Sequence, residues 1–178
     1  MAVRDVLKMG DARLLRQAEP VEDFSSPALQ TLLDDMRETM AALHGAGLAA
    51  PQIGVGLQVV IFGVSANPRY PEAEVVPETV RINPELNAIC EEQEEAWEGC
   101  LSLPGMRGLV PRYRGLQYAG FNERGEPFER TVSGFHARVV QHEVDHLYGI
   151  LYPLRIRDLR NFGFTEVLFP GRDAAAEE

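Results

Sequence analysis

Two cysteines in 178 residues are too few for a disulfide framework, and that scarcity points to a reducing compartment, so a cytoplasmic location is expected. Long apolar runs are missing too. No stretch approaches the ~20 residues needed to span a bilayer. The N-terminus lacks the apolar centre of a secretory signal, and its basic residues alternate with Asp5, Asp11 and Glu19, unlike a transit peptide. Positive charge is also short, with 17 Lys and Arg against 27 Asp and Glu and a formal net charge of −10. Backbone binding to nucleic acid needs clustered Lys and Arg, so no stable nucleic-acid or membrane partner is expected. Glu91, Glu92, Glu94 and Glu95 bunch as a solvated face does. The chain shows no internal repeat and no low-complexity linker.

What is present suits a single catalytic domain over residues 1–170, with a disordered acidic tail over 171–178. Hydrophobic residues make up 45% and charged residues 25%, ordinary proportions for a packed globular chain. Ser25-Ser26-Pro27 marks a helix start. Leu29, Leu32, Leu33, Met36, Met40 and Leu43 then recur at helical spacing, and Gly45 can close that helix. Strands are expected over Leu57–Val64, Thr79–Leu86, Ala96–Leu103, Leu109–Phe121 and Phe128–Val132, with a hairpin turn at Asn122–Gly125. A second helix is expected over Gly134–Tyr148, stopped by Gly149. The order of elements reads as an α+β fold, antiparallel strands packed round a central metal-bearing helix with the first helix outside.

That second helix carries the most informative pattern, His142-Glu143-Val144-Asp145-His146. Four residues is just over one helical turn, so both imidazoles leave the same face and can grip one metal ion. Glu143 is one step round, close enough to handle a water on that metal without itself being a ligand.

A catalytic metal site needs a third ligand and an open position. A third histidine two turns on is ruled out, because Tyr152 stands where it belongs and no methionine follows Met106 to form the accompanying turn. Glu166 lies at a suitable distance downstream, as in thermolysin-like peptidases. Its surroundings, Asn161 to Pro170, read as a short extended segment rather than a ligand-bearing helix. Cys100 is the other candidate. A thiolate suits iron(II), zinc, cobalt or nickel, and the flanking Gly99 and Pro104-Gly105 suggest a strand edge that something approaches closely. Cys90 reads as a small buried hydrophobe.

Three segments taken in order, Gly45-Ala46-Gly47-Leu48-Ala49-Ala50-Pro51-Gln52, Glu98-Gly99-Cys100-Leu101-Ser102 and Gln141-His142-Glu143-Val144-Asp145-His146, resemble the three signature motifs of the peptide deformylases. The likeness runs from about Val6 to Gly171. It implies hydrolysis of the formyl group, as formate, from the N-terminal formylmethionine of newly made proteins. It also implies one divalent metal held by Cys100, His142 and His146, with iron(II) favoured and zinc, nickel or cobalt able to replace it. By the same resemblance Glu143 is the acid–base group, and the Gln52 amide with the Leu101 backbone N–H stabilises the oxyanion. Ala46, Gly47 and Gly99 would pair with an extended substrate backbone.

Phe135 and Val139, seven and three residues before His142, are expected in the wall of a methionine pocket, with Arg138 at its rim and Arg107 lining the cleft. Ligand histidines usually donate their second ring N–H to an acceptor. Glu98 is the candidate acceptor, kept ionised by a buried pair with Arg112. Many deformylases end in a basic C-terminal helix that contacts the ribosome. This chain ends in Ala174–Glu178, so contact with nascent chains and ribosomes is expected to be transient.

Overall fold

A computed structural model describes residues 2–64 and 75–171. The expected disordered tail thus falls almost wholly outside the described residues. Helix α1 spans Pro27–Ala42 with Pro at its first turn, and α2 spans Gly134–Leu147. Five antiparallel strands form the larger sheet in the order β1-β2-β3-β6-β7, namely Gly47–Ala49, Val59–Val64, Val76–Ala88, Gly115–Phe121 and Pro127–Ser133. A smaller sheet pairs β4 (Gln93–Cys100), β5 (Leu103–Tyr113) and β8 (Phe162–Phe164), and a single helical turn, α3, follows at Thr165–Leu168. No helix among the described residues is long and apolar enough to cross a membrane.

Side chains alternate across a strand with period two, and β2 uses both faces. Val59 and Ile61 pack with Leu29, Leu33, Met36 and Met40 of α1. Val60, Phe62 and Val64 pack instead with Ala137, Val140 and Val144 of α2. The large sheet therefore separates the two helices, α1 outside and α2 between this sheet and the smaller one. A third cluster, including Leu14, Cys100, Leu103, Val110 and Tyr152, lies under the small sheet.

Four expectations need correction. The run Leu109–Phe121 is not one strand, for it breaks at Arg114 and passes from the small sheet into the large one. Ala96–Leu103 is a strand, a turn at Leu101-Ser102 and the start of the next strand. The first helix is stopped by His44, which takes φ 51°, while Gly45 has no left-handed backbone. Glu166 lies on the α3 turn, not in an extended segment, and its side chain is exposed. Gly149 does stop α2 as expected. It takes φ 71°, and a Cβ there would meet the Leu15 carbonyl oxygen at 2.5 Å, so only glycine fits.

Candidate metal centre

Cys100 ends β4 beside the irregular register that follows Glu98. His142 and His146 project from α2 on the side facing that strand end. One ligand atom from each of the three residues lies within 4.8 Å of the other two, and Cys100 Sγ is 3.4 Å from His146 Nε2. All three side chains are buried. Among the described residues this is the one grouping of at least three His, Cys, Asp or Glu placed to share an ion. Glu166 is not part of it.

The donor set fits a divalent transition metal. Burial alone would raise the Cys100 thiol, but the His146 and His142 rings outweigh that and hold it well below its ordinary value. The site therefore favours the thiolate that a cation needs. His142 Nδ1 is 2.9 Å from Glu98 Oε2, which leaves its Nε2 to act as ligand. For His146 no such acceptor is found among the described residues, and its Nδ1 has no hydrogen-bond partner there.

Glu98 is the hub of a buried charge network. Arg112 donates to both of its oxygens, at 2.9 and 3.0 Å, and Arg138 adds a third bond at 2.8 Å. Desolvation would raise the Glu98 carboxyl, but Arg112 and then His142 overcome it and keep the group below the usual carboxylate range. Arg112 also donates to Asp145 at 2.5 Å, and Asp145 accepts a fork from Arg155 at 2.6 and 3.1 Å. Arg138 holds the Val110 and Glu94 carbonyls as well, at 2.9 and 2.6 Å.

Gln52 is pinned from behind. Its Oε1 accepts from the Ala49 N–H at 2.8 Å, which turns the amide nitrogen towards Cys100 Sγ (3.4 Å) and Ser102 Oγ (3.1 Å). Glu143 is buried against Gly47. Its Oε2 has no partner among the described residues, and desolvation pushes its carboxyl up to about 7 against the opposing pull of the two histidines.

A narrow cavity of about 40 Å³ opens on these groups, room for little more than a water. Its wall brings together the expected Ala46, Gly47, Gly99, Leu101, Phe135 and Val139. Arg138 is in that wall too, and Trp97 joins it unanticipated. Arg107 is buried on β5, and a Cβ on Gly99 would meet its Nε at 3.1 Å, so its guanidinium lies directly against that glycine of the wall. Reading the sequence missed Ser102, whose N–H lies 3.4 Å from Cys100 Sγ, and the Asp145–Arg155 pair. Asp145 could have been noticed, since it lies within the His142–His146 turn, three residues after the first ligand.

A buried thiol and two imidazoles placed to hold one ion, with the Glu143 carboxyl and a fixed amide alongside, define a metal-dependent hydrolase. A polypeptide deformylase family model matches residues 3–162. Peptide deformylase 1 of Nitrosomonas europaea is 65% identical over 173 residues, covering 97% of this chain and 98% of that protein. Peptide deformylase 1 of Bordetella pertussis is 59% identical over 175 residues, covering 98% and 99%. Among solved structures, the Met-Ala-Ser-bound class I type b peptide deformylase of Acinetobacter baumannii superposes with a TM-score of 0.83 at 41% identity, covering 87% of this chain and 99% of that one. The chain belongs to the peptide deformylase family. It is a metal-dependent hydrolase that removes an N-terminal formyl group.

Proposed function

We propose that this chain hydrolyses the formyl amide of N-formylmethionyl peptides, nascent chains included, in a bacterial-type cytoplasm, with iron(II) as the preferred ion. The observation that carries this reading is the convergence of Cys100, His142 and His146 with Glu143 and the Gln52 amide on one buried cavity. When bound, the ion supplies Lewis-acid polarisation and a water of lowered pKa. Glu143 takes the proton of the attacking water and delivers it to the departing amine. The formyl oxygen gains negative charge as its carbon becomes tetrahedral, and the Gln52 amide and Leu101 N–H meet that charge. Because the Ala49 N–H already fixes the Gln52 amide, little reorganisation is needed at that moment.

Sheet topology supports the substrate reading. β1 and β4 are both edge strands of their sheets, and Ala46, Gly47 and Gly99 border the cavity between them. An extended peptide can lie there and bond through its backbone, with small residues keeping the approach open. Phe135 and Val139 then offer an apolar wall to the methionine side chain, and the Arg138 stem borders it.

The test is anaerobic purification with metal analysis, followed by formate release from formyl-Met-Ala-Ser. One ion per chain and rapid formate release are expected. Glu143→Gln should keep the ion and slow turnover by about 10²–10⁴-fold. Full metal content without formate release, or turnover undiminished in Glu143→Gln, would overturn the assignment.

A further inference from the structure

A second feature lies apart from the active cavity and shares no residue with it. A cleft of about 450 Å³ opens beside the first half of β3 and the turn between β6 and β7. Strand β3 pairs with β6 only from Ile82 onward, so the stretch before it leaves room at the sheet edge. Four arginines line this space, Arg37, Arg81, Arg124 and Arg130, against two glutamates, Glu78 and Glu123. Arg37 pairs with both glutamates and with Asp34 on its own helix. The guanidiniums of Arg81, Arg124 and Arg130 have no carboxylate partner among the described residues, in a chain whose net charge is −10.

Arg81 is the unusual member, for it is only 6% exposed. Its guanidinium lies 3.6 Å from the Phe128 ring centroid and 5.6 Å from that of Tyr118. It donates to the carbonyl of its neighbour Val80, and its Nε has no acceptor among the described residues. A buried cation is ordinarily paired, and ring stacking fixes its plane without neutralising it. Burial lowers the Arg81 pKa, with Tyr118 opposing. His136 nearby is lowered by burial and then by Arg130 and Arg81, so the positive field reaches beyond the cleft.

We infer that this cleft binds a phosphate dianion, free or as a small phosphomonoester, with Arg81 as the fixed fork and Arg124 and Arg130 closing from the turn and β7. Arg37 is answered by its own carboxylates, and the three guanidiniums left, Arg81, Arg124 and Arg130, favour a doubly charged anion such as a phosphate monoester above its second pKa of about 6. The planar guanidinium suits two phosphate oxygens at once. A singly charged phosphodiester or carboxylate offers these guanidiniums less charge and fewer acceptor oxygens.

The test uses the metal-loaded full chain at pH 7.5 and constant ionic strength in chloride. Calorimetric titrations would compare inorganic phosphate, phenyl phosphate and dimethyl phosphate. Saturable binding of one dianion per chain is expected, at least tenfold weaker for dimethyl phosphate, and the tighter of the first two identifies free phosphate or an ester as the source. Arg81→Met and Arg130→Ala should each weaken binding tenfold or more, with formate release in phosphate-free buffer at its original rate. If Arg81→Met fails to fold, Arg130→Ala and the exposed Arg124→Ala decide. No saturable binding, or binding undiminished in these variants because the anion sits on the metal centre, would overturn the inference.

Discussion

Replacing Gly47 with alanine should slow catalysis while leaving the metal in place. Gly47 lies in β1 opposite Phe62 and has no left-handed backbone, so alanine adopts the same conformation without strain. The conflict is with one side chain. A Cβ on Gly47 would sit 2.5 Å from Glu143 Cδ and 2.7 Å from its Cγ. Ordinary contact begins at 3.4 Å, so the carboxyl must retreat by about 1 Å. A shift of that size in a reacting group costs on the order of 10²-fold in rate. Overpacking a buried site costs about 1–3 kcal/mol of stability as well. The assay is kcat for formate release with metal content measured in parallel. Glu143→Asp tests the coupling, because the shorter acid already withdraws from Gly47. The double variant should therefore lose much less than the product of the two single losses. Wild-type kcat in Gly47→Ala, or strictly multiplicative losses in the double variant, would refute the idea that this glycine exists to seat the Glu143 carboxylate.

Glu98→Ala leaves the buried Arg138 without a carboxylate and the buried Arg112 with Asp145 alone. Breaking such a network by removing one partner should cost about 3–5 kcal/mol in denaturant melts, and metal affinity should fall about 10–100-fold in chelator competition. Cys100→Ala should empty the metal site by elemental analysis, whereas Glu166→Ala, on an exposed turn, should leave one ion per chain. The reverse pattern would restore the thermolysin-like alternative. Asp35 is held below its ordinary 3.8 by the Ala2 N–H and then by Arg4. Its folded pKa is depressed, so its contribution is full above that ordinary value and is lost as pH falls through the lower folded one. Protection of the Ala2 N–H against exchange, taken relative to its intrinsic rate at each pH, should therefore fall in acid, and Asp35→Ala should show that loss already at neutral pH.

The elements read most clearly from sequence are those whose signal is local. The α1 stripe has a 3.6-residue period, and Leu29, Leu32, Leu33, Met36 and Met40 are all buried. The His142–His146 spacing fixed two ligands, because one helical turn determines where both rings point. Cys100 became a ligand only through resemblance, since nothing local shows that a residue 42 positions upstream reaches the same point. The break at Arg114 was illegible for a similar reason. Leu109–Phe121 carries no gap in strand character, and the division follows from pairing with β4 on one side and with β3 and β7 on the other. Arg138 read as a pocket rim, yet its strongest bonds go to Glu98, Val110 and Glu94, all distant in the chain.

The boundary between α2 and the small sheet is fastened by polar groups. Arg138 spans Glu98, Val110 and Glu94, Arg112 bridges Glu98 to Asp145, and Gln141 bonds both the N–H and the carbonyl of Tyr113. The opposite boundary of α2, against the large sheet, is greasy. The two interfaces of one helix should then yield to different solvents. Guanidinium chloride competes directly for carboxylates and should prise the small sheet away at concentrations where urea of equal denaturing strength leaves it seated. A coordinated ion, drawing sulfur from one lobe and nitrogen from the other, would act as the rivet that hides this difference.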